Sequence, residues 1–190
     1  MKKLLIPKDK DPMGQAIADF HQKGGAKLLR VFSSQFEEDE IPVKQLFRGE
    51  SQMPAIERKA LEMAQGRILD VGAGSGCHSL ALQQSGKEVL AIDISSLSVD
   101  TMLSRGVRQA RQVNLFDNSF CETFDTVLML MNGSGIVGRL ENLPQFFRRM
   151  KQVLRPGGCI LMDSSDLRYL FEEEDGSFAI DLAAGYYGEV

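Results

Sequence analysis

The chain is predicted to fold as a doubly wound, mostly parallel α/β sheet, a Rossmann-like arrangement, preceded by a helical N-terminal extension. Three observations carry this expectation. A short apolar run at residues 67–71 turns through three alternate glycines into a helix, a second apolar run ends in Asp93, and later apolar runs alternate with amphipathic stretches. The first run is short enough for a parallel strand covered on both faces. Gly72, Gly74 and Gly76 remove every Cβ from one side of the turn, so the backbone bends sharply and a ligand can approach it. Residues 79–84 continue as a helix whose N-terminus offers free N–H groups and a positive dipole end. A ligand is therefore expected at the carboxyl end of this strand.

Residues 87–92 read as the second strand. Asp93 stands at its tip, about 20 positions beyond the glycines, the spacing of nucleoside-binding folds. A carboxylate there can accept both hydroxyl hydrogens of a ribose, so the two signals point to a nucleoside ligand before they fix any chemistry. The glycine spacing narrows the ligand further. A dinucleotide loop reads G-x-G-x-x-G, its third glycine allowing close helix packing below a pyrophosphate. This loop reads G-x-G-x-G and continues with Cys77 and His78. Asp70, two residues before the first glycine, can bind the loop's N–H groups or the amino group of a zwitterionic ligand. A pyrophosphate would meet that charge unfavourably.

On these residues the sequence resembles the class I S-adenosylmethionine-dependent methyltransferases, over residues 67–163. Their first motif looks like Asp70-Val71-Gly72-Ala73-Gly74-Ser75-Gly76. The resemblance implies S-adenosylmethionine as cofactor, with Asp70 and the loop residues Gly72, Ala73, Gly74 and Gly76 at its methionine part and Asp93 at its ribose. It also implies Asn114 and Leu115 at the adenine, with Asp117 as the competing assignment, and Ile94 and Met131 complete the expected set. Residues 124–131 resemble the family's fourth strand, and residues 154–158 the turn entering the fifth. Asn132, in Met131-Asn132-Gly133-Ser134-Gly135, falls where the family meets both the methyl group and the acceptor, but without the Asn-Pro-Pro-aromatic pattern of amino-methylating enzymes.

The activity this implies is methyl transfer to a small-molecule acceptor. The alternatives are an NAD(P)-dependent oxidoreductase, disfavoured by the glycine spacing and Asp70, and a cofactor-binding module without turnover. No residue of the sequence stands out as catalytic. A sulfonium is already activated, alignment contributes about 7 to 11 kcal/mol, and a base is needed only for a nucleophile protonated at neutral pH. Asn132 and Arg48 are the substrate candidates. Arg48 is read either as a partner for a ligand carboxylate or as a plain surface arginine.

Two helices, at residues 12–22 and 54–64, are expected in an extension spanning residues 1–65, ahead of the cofactor-binding region at 66–190, the whole forming one compact unit. In the second helix Ile56, Ala60, Met63 and Ala64 are expected inside, with Glu57, Arg58, Lys59 and Glu62 largely outside. Residues 96–105 read as a helix closed by Gly106. Residues 139–154 read as a longer one, with a core stripe of Leu140, Leu143, Phe147, Met150 and Leu154. The cations Arg148, Arg149, Lys151 and Arg155 are then favoured by the helix dipole. His78 is expected to pack or cap at a helix start, and Met129 and Met131 to lie in the core.

At 190 residues and 43% hydrophobic, the chain can bury one substantial core. A net charge of −4 gives no electrostatic footprint for nucleic acid, and no apolar stretch is long enough for a membrane helix. Cys77, Cys121 and Cys159 lack disulfide or zinc spacing, which suits free thiols in a cytoplasm and predicts no metal. Only residues 164–190 follow the fifth strand, where the family adds a connection and an antiparallel pair. Residues 186–190 read as the opening of a strand, so the C-terminal strand pair is expected to be incomplete. The fifth strand is then an open edge that invites a homodimer.

Overall fold

A computed structural model describes residues 5–25, 28–32, 38–180 and 186–187. The strand expected at 186–190 falls largely outside the described residues. The elements run in the order α1 (Pro12–Lys23), β1 (Leu29–Val31), β2 (Asp39–Ile41), α2 (Ala55–Met63), β3 (Arg67–Val71), α3 (Cys77–Gln84), β4 (Glu88–Asp93), α4 (Ser96–Ser104), β5 (Ala110–Gln112), β6 (Phe124–Met129), α5 (Leu143–Val153) and β7 (Leu154–Met162). β1 and β2 form a separate antiparallel pair.

The main sheet is entirely parallel, in the order β5-β4-β3-β6-β7. From β3 the chain winds outward through β4 to β5, then crosses back to lay β6 and β7 on the other side. The strand order therefore reverses beside β3, and a crevice opens there at the carboxyl ends of the strands. Alternate residues face opposite layers. Ile68, Val89 and Leu128 pack with Leu61, Ala81 and Leu82 of α2 and α3. Leu69, Leu90, Val127 and Met129 pack with Phe146, Met150 and Val153 of α5. β7 is a sheet edge among the described residues.

Two helices bury only part of the face the sequence leads one to expect: Ala60, Ala64, Leu143 and Met150 pack inward as expected. In α2, Ile56 and Met63 are exposed at 63% and 50%, while Glu57 and Leu61 are buried. The reason is an ion-pair cluster that draws Glu57 inward. α5 begins at Leu143, with Pro144 in its first turn, and buries Phe146, Arg149, Met150 and Val153. Leu140 and Phe147 of the expected stripe are about half exposed, and Leu154 already belongs to β7.

Arg149 is no surface cation. Its Nε donates to the Leu115 carbonyl at 2.6 Å, and its Nη2 to those of Phe120 and Asp117 at 2.6 and 3.1 Å. These bonds satisfy loop carbonyls that have no strand to pair with, and they fix the loop that carries Asn114. Met129 is fully buried as expected, but β6 ends there, and Met131 is 41% exposed.

The N-terminal region sits on the crevice. Asp11 caps α1 by accepting from the Gly14 N–H at 2.8 Å and also accepts from the Ser95 hydroxyl, which itself caps α4. Ile6 donates its N–H to the Ile94 carbonyl at 3.2 Å.

Candidate functional site

The loop after β3 adopts its shape because glycine tolerates left-handed backbone: Gly72, Gly74 and Gly76 have φ of 68°, 55° and 81°. The N–H groups of Gly72 and Ala73 donate to the Ile92 carbonyl of β4 at 2.9 and 3.2 Å. Asp93 then ties the loop to the next strand. One carboxylate oxygen accepts from the Gly74 N–H and the other from the Ser95 N–H, both at 2.9 Å. Burial pushes the Asp93 carboxyl above its usual range, backbone donors at Ser95, Gly74 and Ile94 pull it back, and the neighbouring Asp11 charge adds to the rise.

Asp70 does not bind the loop's N–H groups. It accepts from the Ser79 hydroxyl at 2.6 Å, in the first turn of α3, and burial raises its pKa. The loop-binding carboxylate is Asp93. Both open onto one cavity of about 620 Å³, lined also by Gly72, Ala73, Gly74, Ile94, Met131 and Asn132. Ile6, Asp11, Met13 and Ile17 from the N-terminal region close it from the other side. The volume suits a small-molecule cofactor.

A second, mostly apolar cavity of about 270 Å³ shares Gly72, Asp93 and Ile94 with the first and holds Asn114, Leu115, Val113, Phe116 and Ile136. The Asn114 side-chain oxygen accepts from the Phe116 N–H at 2.9 Å. Asp117 lines neither cavity; its carboxylate accepts from Ser119 instead. Gly76 also lines neither. A Cβ there would come within 2.9 Å of Met102 and Val107, so this glycine lets α3 pack against α4.

Arg48 is not a surface residue: its Nη2 is engaged by a carboxylate of the chain itself, while its buried Nε has no hydrogen-bond partner among the described residues. Arg48 forms an ion pair with Glu57, and the two side chains are only 10% and 6% exposed. Glu57 also accepts from His78 Nε2 at 2.8 Å. Glu57 and His78 line the larger cavity. Burial opposes the charge on His78, but hydrogen bonds with Cys77 and Glu57 and the nearby Asp70 override it, pushing the pKa up to about 10. Burial likewise opposes the Glu57 charge, but His78 and Arg48 hold its carboxyl below the usual value. Sequence reasoning took His78 as a packing residue and Glu57 as an exposed one. The signal for Glu57 was its place four residues before Leu61, which puts both on one helix face.

A second feature that no sequence pattern announced follows β6. Met131 and Asn132 have φ of 62° and 61°, a conformation that costs a non-glycine residue about 1 to 3 kcal/mol. Asp163, just beyond β7, accepts from the N–H groups of Met131 and Gly133, both at 3.0 Å. Ser165 donates to the Asn132 side-chain oxygen at 2.7 Å. Asn132 lies at a junction, lining the larger cavity and also a third, of about 320 Å³, that contains Ser134, Arg139, Leu143, Met162 and Ser165. Among the described residues, no cluster of His, Cys, Asp and Glu has the makings of a metal site.

A parallel sheet whose switch point carries a glycine loop, a carboxylate on the adjoining strand and two connected cavities defines a nucleoside-cofactor-binding α/β protein. Residues 69–162 match the family described as methyltransferase domain. A solved S-adenosylmethionine-dependent methyltransferase from Bacteroides fragilis, in complex with S-adenosylhomocysteine, is 74% identical. It superposes with a TM-score of 0.89 over 94% of this chain and 74% of its own. The cypemycin N-terminal methyltransferase of a Streptomyces species is 34% identical over 103 residues, which are 52% of this chain and 42% of that protein. The sugar N-methyltransferase KedS8 from Streptoalloteichus shares the fold, with a TM-score of 0.52 at 21% identity, over 72% of this chain and 60% of its own. The chain thus spans less than half of the cypemycin enzyme and about three quarters of the Bacteroides one. It belongs to the S-adenosylmethionine-dependent methyltransferases.

Proposed function

We propose that this chain binds S-adenosylmethionine and transfers its methyl group to a small-molecule acceptor. The observation that carries the reading is the Gly74–Asp93 junction, where a glycine loop anchored to a carboxylate opens onto the larger cavity. The absence of a Cβ at Gly74 leaves open space, with Ile17 the nearest side chain at 3.8 Å. The cofactor supplies a methyl group on a sulfonium, already activated for displacement. The chain's own contribution is to bind, orient and exclude water. Asp93 would accept from the ribose hydroxyls, while Ile94, Asn114 and Leu115 in the apolar cavity would hold the adenine. Asp70, Gly72, Ala73 and Gly74 would face the methionine part, and Met131 and Asn132 the side from which the acceptor enters. Gly76 and Arg48 support this site from behind.

Two features favour a small molecule as acceptor. The cavities meeting at Asn132 are small, and a net charge of −4 offers nucleic acid no attraction. The reading extends to a cytoplasmic setting, consistent with three free cysteines, and to residues 1–65 acting as a cap on a cofactor-binding region at 66–190. It extends further to pairing of two copies along the β7 edge. No helix among the described residues is long and apolar enough to cross a membrane.

Calorimetric titration with S-adenosylmethionine, S-adenosylhomocysteine and NAD tests the reading. The two adenosyl sulfur ligands should bind and NAD should not; binding of NAD alone would transfer the chain to the oxidoreductases. In the same assay Asp93→Ala should weaken both adenosyl ligands by about 1.5 to 3 kcal/mol, since it removes charged hydrogen bonds to the ribose. Unchanged affinity would reject Asp93 as the ribose ligand. An acceptor screen with radiolabelled methyl donor then separates turnover from mere binding.

A further inference from the structure

We infer that Asp163 is a positioning residue that locks the Met131-Asn132 turn in its left-handed form and thereby fixes the wall between the cofactor cavity and its neighbour. The inference rests on the cofactor reading above and adds a residue that neither the glycine motif nor the carboxylate spacing identifies.

Left-handed backbone is uncommon for residues with a side chain, and two such residues in succession are rarer still. Asn132 tolerates the conformation, but Met131 has no intrinsic reason to adopt it. Such a conformation persists only where the surroundings over-determine it. Asp163 supplies that determination. Its two carboxylate oxygens accept from the N–H groups on either side of Asn132, those of Met131 and Gly133, each at 3.0 Å. Its own N–H donates to the Met129 carbonyl at 3.2 Å, and its carbonyl accepts from the Ser134 N–H at 3.2 Å. One residue thus holds the turn at three points and ties itself to the end of β6 at a fourth. Bonds to an ionised carboxylate are stronger than neutral ones.

The support is rigid because it is built on the sheet. Asp163 immediately follows β7, which pairs with β6 up to the Met129 and Met162 register. Its position is therefore set before the turn begins. The turn also folds back tightly, so that a Cβ on Gly133 would come within 2.7 Å of the Met129 Cβ. Met131, Asn132 and Asp163 all line the cofactor cavity, and Asn132 lines the neighbouring one as well. If the turn relaxed to extended backbone, the Met131 side chain would leave the wall and Asn132 would swing away from Ser165.

A rival role for the same carboxylate is plain electrostatics, since it faces a cavity in which a sulfonium is to bind. The two roles differ in what they predict. S-adenosylmethionine carries the sulfonium charge and S-adenosylhomocysteine does not, whereas a misplaced wall penalises both. Glycine at position 131 would reach the left-handed conformation without help, which removes the need for a backbone lock, at the cost of the Met131 side chain that Met131→Gly alone measures, and leaves a missing charge unrepaired.

The experiment compares the wild type with Asp163→Ala, Asp163→Asn, Met131→Gly and the Asp163→Ala/Met131→Gly double variant. Each is titrated with both ligands, checked for folding by denaturant unfolding, and followed by amide hydrogen exchange. Asp163→Ala should raise Kd about tenfold for both ligands alike, with Asp163→Asn falling between because an amide oxygen replaces only one acceptor. Measured against Met131→Gly alone, the double variant should lose no more than about threefold. Exchange at the Gly133 N–H should accelerate in Asp163→Ala, a readout that needs no ligand. A loss confined to S-adenosylmethionine, an equal loss with and without glycine at 131, or unchanged exchange at Gly133 would each overturn the assignment. Failure of the wild type to bind either ligand would instead reject the cofactor reading, leaving the exchange result to decide the role of Asp163.

Discussion

Replacing Glu57 by alanine should destabilise the fold by about 3 to 5 kcal/mol, because it leaves two buried cations without their shared counter-charge. Arg48 and His78 both bond to this one carboxylate, and all three side chains are 10% exposed or less. An exposed ion pair would cost no more than about 1 kcal/mol, so the measured loss separates the two situations. Denaturant unfolding at neutral pH is the measurement. A loss near the smaller figure would mean that water reaches the cluster.

The pH dependence has a definite sign on each side. His78 has a folded pKa raised from 6.5 to about 10, so its contribution is complete below pH 6.5 and is lost as pH rises toward 10. The Glu57 pKa is lowered from 4.5, so its contribution is present above that value and is lost as pH falls through the depressed one. Stability from this cluster should therefore be greatest between about pH 5 and 6.5 and decline through the alkaline range. Glu57→Gln removes one of the groups that raise His78, beside Cys77 and Asp70, and should make the alkaline decline shallower. An alkaline slope identical in wild type and Glu57→Gln would show that Glu57 does not hold the His78 proton.

The second large effect is expected at the glycine loop. Gly74→Val should weaken S-adenosylmethionine and S-adenosylhomocysteine by at least about a hundredfold while leaving a folded chain. Gly74 has φ of 55°, where a β-branched side chain is strained, and its N–H must stay aimed at Asp93 at 2.9 Å. The added side chain would also project into the open space that the cofactor needs. Backbone strain alone is controlled by Gly86→Val. That residue also has positive φ, at 77°, with no neighbouring atom in the way, and it lies in the turn between α3 and β4, outside the cofactor cavities. Both variants should lose about 1 to 3 kcal/mol of stability, and only the first should lose binding. Equal retention of binding would place the ligand elsewhere.

These two sites mark the boundary between what was and was not legible in the residue order. The sequence by itself determined the parallel strands and the glycine turn at the carboxyl end of the first of them. A parallel strand buried on both faces needs a short apolar run, a loop at φ near 60° needs glycine, and an acidic residue at a strand tip announces itself by spacing. Hence β3 was anticipated residue for residue, β4 to within one position, and Gly72, Gly74 and Asp93 meet at one cavity as their spacing suggested. What local pattern could not supply was which charged residues turn inward. Glu57 and Arg149 lie on helix faces that a simple polar-outside rule assigns to solvent. Their partners are Arg48 and His78 in one case, and the carbonyls of Leu115, Asp117 and Phe120 in the other. Those partners come from separate elements, and only packing brings them within bonding distance. The Met131-Asn132 turn belongs to the same class. No glycine marks its two left-handed residues, because the conformation is imposed across strands by Asp163. Patterns of spacing record what a segment does with its own backbone. A buried charge or a strained turn is decided by atoms far away in the chain, and so by the tertiary structure alone.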